Sequence, residues 1–173
     1  MSDAEAQLTR PGTPLCHALL PCAGTGSRAG TEIPKQYQPI AGQPMVMHTL
    51  DALRTVLRLD RCLVVIAPDD VFWSSQPVGV TLARCGGATR AESVFNGLQA
   101  LRDHGAQEHD WVLVHDAARC LLTPALVDSL IDACLDDPVG GLLALSLPDT
   151  LKAETEGRVS HTIDRAHKWL AQT

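Results

Sequence analysis

Two cations, one carboxylate and two glycine-containing turns are the residues of this chain whose types and spacing could do chemistry. An apolar run, Leu15–Leu20, opens through Pro21-Cys22-Ala23-Gly24-Thr25-Gly26-Ser27-Arg28 into a turn, and Pro34-Lys35-Gln36-Tyr37 follows. A strand that ends in such a turn brings backbone N–H groups to its carboxyl end, where a phosphate approaches without striking side chains. Arg28 and Lys35 supply the countercharge. The spacing is neither a Walker A P-loop, which needs Gly-Lys-Ser/Thr together, nor G-x-G-x-x-G.

A second turn, Cys85-Gly86-Gly87-Ala88-Thr89-Arg90-Ala91-Glu92-Ser93, follows a strand-like run and opens a helical one. Its glycines allow close backbone approach, and Arg90 and Ser93 fall on one helical face at the positive end. That suits a flat polar ring or a phosphate; the same residues also suit an ordinary strand-to-helix turn capped by Thr89. In Trp111-Val112-Leu113-Val114-His115-Asp116-Ala117-Ala118-Arg119, a carboxylate at the end of a buried strand is costly unless paired or bound to a cation. Asp116 is thus a candidate Mg²⁺ ligand, with an Asp116–Arg119 ion pair or a helix cap as the alternative. Asp149-Thr150 and Asp164-Arg165 are weaker signals.

Elements must position these groups. Strands are expected at Leu15–Leu20, Cys62–Ala67, Val78–Ala83, Trp111–His115 and Gly141–Leu147. Helices are expected at Met45–Leu57, at Arg90–Arg102 with Val94, Leu98 and Leu101 on one side, and at Pro124–Leu135 after Thr123. The alternation predicts an α/β fold, a mostly parallel sheet with helices on both faces and ligands beyond the strands' carboxyl ends. Over Asp149–Trp169 the apolar pattern breaks, and a projecting β-arm turning at Glu156-Gly157 is expected, with a disordered tail as the alternative.

The 173 residues, 45% hydrophobic, suit one domain. A net charge of −6 argues against a nucleic-acid partner. No apolar run reaches membrane-span length, and the N-terminus has neither a basic start nor a hydrophobic centre. The reading is a cytoplasmic protein with a mobile tail over 1–14 and one domain over 15–173. Six cysteines without C-x-x-C spacing and seven dispersed histidines point to free thiols and no structural zinc.

Taken in order, the motifs resemble the 2-C-methyl-D-erythritol 4-phosphate cytidylyltransferase family. The resemblance runs from about Leu15 to Thr173. It rests on Pro21-Cys22-Ala23-Gly24-x-Gly26-x-Arg28, Pro34-Lys35-Gln36-Tyr37, Gly86-Gly87-x-x-Arg90-x-x-Ser93, His115-Asp116-Ala117-Ala118-Arg119, Asp149-Thr150-x-Lys152, His161-Thr162-x-Asp164-Arg165 and Trp169-x-Ala171-Gln172-Thr173. It implies a Rossmann-like nucleotidyltransferase fold and transfer of a cytidylyl group from CTP to methylerythritol phosphate. It further implies that Arg28 and Lys35 stabilise the α-phosphate and that Pro21, Cys22, Ala23, Gly24 and Gly26 cradle the nucleotide. Gly87, Ala88 and Ser93 would recognise cytosine, Arg90 would bind the nucleotide, Asp116 would meet ribose or Mg²⁺, and Thr150 and Arg165 would hold the acceptor phosphate across a homodimer formed through the arm.

Cys22, Ala88 and Cys120 depart from the residues usual in the family. The chain also stops where the family continues, before an expected further metal ligand and phosphate contact, which predicts a C-terminally incomplete enzyme of impaired activity. A ribitol 5-phosphate cytidylyltransferase and a non-catalytic nucleotide-binding protein are the alternatives.

Overall fold

The computed structural model describes residues 14–24 and 33–173. Four parallel strands form the central sheet in the order β5-β4-β1-β6: β1 is Cys16–Pro21, β4 Leu59–Val65, β5 Thr81–Ala83 and β6 Trp111–Val114. Side chains alternate across its two faces, as a strand's period of two requires. Ala18, Leu20, Cys62, Val64 and Ile66 join one apolar cluster; Leu19, Leu63 and Val65 join the other. Both faces are thus apolar, which is the pattern of a sheet covered twice.

Helix α1, Met45–Arg54, places Val46, Leu50 and Leu53 on the first face, where α3, Pro124–Cys134, adds Val127 and Ile131. Helix α2, Arg90–Asp103, covers the second face with Leu101 and Val94. The start of α3 follows from its sequence: Pro124 takes the first position, and the Thr123 hydroxyl accepts the Leu126 N–H at 3.4 Å.

The structure trims several expected elements. Residues 78–80 stay outside β5 because Gly79 holds φ at +74° in a turn. Helix α1 stops at Arg54, because Thr55 and Val56 close onto the carbonyls of Ala52 and Leu53 and the chain turns into β4. On α2 the buried residues are Ser93, Gly97 and Leu101, whereas Leu98, expected on the same side, is exposed. A Cβ at Gly97 would lie 2.6 Å from Val65 Cγ2 and 2.8 Å from Leu19 Cδ1, so the helix beds directly on the sheet there.

The last expected strand is shorter and lies outside the parallel sheet. It is β7, Ala144–Ser146, antiparallel to β10, Trp169–Ala171, which the sequence reading did not anticipate. Between them runs the arm, an antiparallel hairpin of β8, Leu151–Thr155, and β9, Arg158–Ile163. Its tip has φ +52° at Glu156 and +75° at Gly157, the backbone hand that matches strand twist in a two-residue turn. A minor hairpin of β2, Pro39–Ile40, and β3, Gln43–Pro44, precedes α1. No described helix is long and apolar enough to cross a membrane.

Candidate active site

The strand order decides where a ligand can sit. From β1 the sheet grows through β4 to β5 on one side, then the chain returns to lay β6 on the other. Such a reversal opens a crevice beyond the carboxyl ends of the two strands at the switch, here β1 and β6. The turns after both strands lie at that end.

After Pro21, the Cys22 N–H still bonds the Val65 carbonyl at 2.8 Å, and Cys22, Ala23 and Gly24 then leave the sheet. Gly86 comes up beside them, its N–H on the Ile66 carbonyl at 2.9 Å. A Cβ on Gly86 would overlap that of Ala23 and lie 2.9 Å from the Ile66 carbonyl oxygen, so only glycine lets the two turns touch. Gly26 and Arg28, both expected in the site, lie outside the described residues.

Lys35 is exposed on a single 3-10 turn, Lys35–Tyr37, tied to the first loop by its neighbours. The Gln36 side-chain nitrogen Nε2 donates to the carbonyls of Cys22 at 3.0 Å and Gly24 at 2.8 Å. Tyr37 donates its hydroxyl to Asp70 Oδ2 at 2.5 Å and accepts from Trp73 Nε1 at 3.0 Å, and Cys22 Sγ stands 3.7 Å away. Phe72 stacks on Tyr37 with ring centroids 4.0 Å apart. Burial pushes the Cys22 thiol up to about 12, against a smaller lowering by the hydrogen bond to Tyr37. Burial, with the neighbouring Cys22 and Asp70, also holds the Tyr37 phenol well above its ordinary range. Cys22 is therefore a packed, protonated thiol rather than a nucleophile.

The second turn is held from inside. Thr89 caps α2, its hydroxyl accepting the Glu92 N–H at 3.1 Å. Buried Ser93 accepts the Gly87 N–H and donates to the Thr89 carbonyl, both at 3.0 Å. Glu92 Oε2 accepts the Ala88 N–H at 2.9 Å. The N–H groups of Gly87 and Ala88 are thus engaged by the first turn of their own helix. Ser93 thus ties the loop to the start of α2 from a buried position.

Asp116 follows β6 and is joined on both oxygens, by Arg90 Nε at 2.8 Å and Arg119 Nε at 3.5 Å. Of the two readings of this carboxylate, the geometry has the ion pair, extended to a second arginine 26 residues earlier. Magnesium needs about six oxygen ligands. Here one carboxylate is shared by two guanidinium groups, and no group of three His, Cys, Asp or Glu among the described residues could hold a metal. Asp116 would therefore meet a Mg²⁺ only together with substrate phosphates and water, the way such an ion is commonly bound. The loop is steadied by Thr49 on α1, whose hydroxyl donates to the Ala117 carbonyl at 3.0 Å. The buried His115 places Nε2 3.2 Å from the Arg119 carbonyl, and burial lowers its pKa.

Thr150 and Arg165 flank the hairpin at its open end, one residue before Leu151 and two after its partner Ile163. Arg165 reaches the Leu147 carbonyl at 3.4 Å. Gln172 links this region to the Asp116 loop, with its Oε1 3.4 Å from Arg119 Nη1. Gln36, Glu92 and Thr49 were not singled out from the sequence, since each acts on a backbone group whose proximity only folding creates. For Glu92 a local signal existed: it stands three residues after the Thr89 cap, the spacing of a capping box.

Comparison with known proteins bears on the family and the overall fold. The family model described as IspD, 2-C-methyl-D-erythritol 4-phosphate cytidylyltransferase, matches residues 16–173. A bifunctional enzyme IspD/IspF of Albidiferax ferrireducens is 60% identical over 177 residues, covering 100% of this chain and 42% of that protein. A 2-C-methyl-D-erythritol 4-phosphate cytidylyltransferase of Laribacter hongkongensis is 55% identical over 163 residues, covering 91% of this chain and 70% of that protein. A crystal structure of a 4-diphosphocytidyl-2C-methyl-D-erythritol synthase superposes with a TM-score of 0.81 at 36% identity, covering 92% of this chain and 72% of the other. With the parallel sheet and the motif order in agreement with these matches, the chain belongs to the 2-C-methyl-D-erythritol 4-phosphate cytidylyltransferase family.

Proposed function

We propose that this chain transfers the cytidylyl group of CTP to 2-C-methyl-D-erythritol 4-phosphate. An oxygen of the acceptor phosphate attacks the α-phosphorus, the bond from that phosphorus to the bridging oxygen breaks, and pyrophosphate leaves. The reaction asks mainly for alignment and charge neutralisation. What carries the reading is the meeting of the Cys22–Gly24 loop, the Gly86–Ser93 turn and the Asp116 loop around the crevice beyond β1 and β6, in a chain matching this family over residues 16–173.

In this proposal Lys35, with Arg28, neutralises charge on the α-phosphate, and Thr150 and Arg165 hold the acceptor's phosphate. Arg90 and Asp116 face the nucleotide. Magnesium would be held by Asp116 together with oxygens of the triphosphate, and would neutralise charge there. The working unit is a cytoplasmic homodimer joined through the arm. Its support is physical: a lone two-stranded hairpin is marginal in water, and most of β8 and β9 is exposed.

Pyrophosphate release from CTP tests the reading. The expected result is turnover with methylerythritol phosphate, little with ribitol 5-phosphate, and a loss of about 10²–10³-fold on Lys35→Ala. Equal use of ribitol phosphate would overturn the acceptor assignment. CTP binding without turnover would make the chain a non-catalytic nucleotide-binding protein.

A further inference from the structure

We propose that Gln36 is the positioning residue of the nucleotide loop: its side-chain amide holds the Cys22–Gly24 backbone in the form that receives a triphosphate and sets that loop against Lys35. The inference rests on the reading that this loop binds CTP.

One amide nitrogen carries two hydrogens, and Gln36 spends both on carbonyls two residues apart, Cys22 at 3.0 Å and Gly24 at 2.8 Å. Gln36 is only 7% exposed, so water has little access to replace it. A trans peptide points its C=O and following N–H in opposite directions. Drawing the Cys22 carbonyl onto Gln36 therefore turns the Ala23 N–H to the opposite side of the loop. Carbonyl oxygens, which would repel a phosphate, are taken up on one side.

The anchor itself is firm. Tyr37, next in the chain, is bonded to Asp70 and Trp73 and stacked on Phe72. Arg84 in turn binds the Asp70 carbonyl at 2.8 Å and the Trp73 carbonyl at 3.3 Å. A site built on such locked neighbours holds its geometry. Because Lys35 directly precedes Gln36, the same clamp fixes the cation's backbone relative to the loop.

Both partners of Gln36 Nε2 are acceptors, so Gln36→Glu keeps the shape and reverses the interaction. An ionised carboxylate would repel the two carbonyls, whereas a protonated one regains a single donor; the site thus raises the pKa of the introduced carboxyl. The titratable or charged groups around it are Lys35 and Tyr37 on the same turn, Cys22 on the loop, Asp70 after β4 and Arg84 after β5. Cys22 and Tyr37 stay protonated throughout the range to be tested.

The experiment compares CTP affinity of the wild type, Gln36→Glu and Gln36→Ala by calorimetry from about pH 8 to about pH 5.5. Each variant is referred to the wild type at the same pH, so titration of the triphosphate cancels. Gln36→Glu is expected to bind roughly tenfold more weakly at about pH 8 and to close most of that gap at the acid end. Gln36→Ala is expected to lose a similar factor at every pH. Wild-type affinity in Gln36→Glu at the alkaline end, or a ratio that does not move with pH, overturns the clamp, as does a wild type that binds no CTP. A wild type that binds CTP yet makes no product overturns the transferase reading alone, and the affinity ratio still decides the role of Gln36.

Discussion

Chemistry at single residues is set here by what surrounds them. Cys16, Cys22 and Cys62 are buried, whereas Cys85, Cys120 and Cys134 are half-buried, and no thiol is paired. Burial raises the pKa of all three buried thiols, Cys22 and Cys62 to about 12. A thiol-exchange reagent should therefore leave Cys16, Cys22 and Cys62 unmodified in the native protein and titrate them only in denaturant. Rapid native modification of Cys22 would contradict its place under Tyr37. Asp116 offers a second residue-level test. Its ion pairs with Arg90 and Arg119 are reached by solvent, Asp116 being half-buried and both arginines exposed, and such pairs contribute about 0–1 kcal/mol. Asp116→Asn should leave the melting curve nearly unchanged, and a much larger fall in transfer would place the carboxylate's role with the substrate.

At the scale of elements, α2 joins the chemistry to the core. Its first turn holds the Gly87–Ser93 loop, and its middle lies flat on the sheet at Gly97. Losing the Thr89 cap in Thr89→Ala should cost about 1 kcal/mol, read by denaturant unfolding. Gly97→Ala sets two effects against each other. Helix propensity favours alanine by about 1 kcal/mol, but the new methyl would press on Val65 and Leu19, both fully buried, and overpacking costs about 1–3 kcal/mol. A net destabilisation is expected; a more stable variant would show that α2 can lift from the sheet at no cost. The extent of α2 was legible from its apolar spacing and its threonine cap. Its buried face was not fully legible, because a glycine carries no apolar signal and is buried here by the closeness of two backbones.

Across the whole molecule, the reversal of strand order at β1 and β6 makes the crevice, and buried titratable groups make the fold sensitive to acid. The pKa of His115 is lowered by burial from an ordinary 6.5. A histidine shifted down stabilises the fold above its unfolded pKa, and that stability is lost as pH falls through the native value. Asp110 lies beside His17, whose ring bonds it at 3.1 Å. Burial would raise its pKa, but the N–H groups of Gln107 and Leu15 and the His17 ring outweigh burial and hold it below 3.8. Unfolding free energy should accordingly begin to fall below about pH 6.5 and fall again below the usual carboxylate range. In denaturant titrations, His115→Gln should flatten the first decline and Asp110→Asn the second.

The sequence by itself determined what depends on neighbours along the chain: the apolar runs of the sheet strands, the caps of α2 and α3, the Glu156-Gly157 turn, and the motif order by which the chain resembles its family. These rest on spacing and on local backbone preference, which act over a few residues. Only the tertiary structure decided the order β5-β4-β1-β6, the pairing of β7 with β10, the engagement of Asp116 by Arg90, and the hold of Gln36 on the Cys22–Gly24 loop. Each joins groups 12 or more residues apart whose side chains carry no mark of their partners. Such pairs form because burying both faces of the sheet brings the strand ends together, and the polar groups left there must bond to one another.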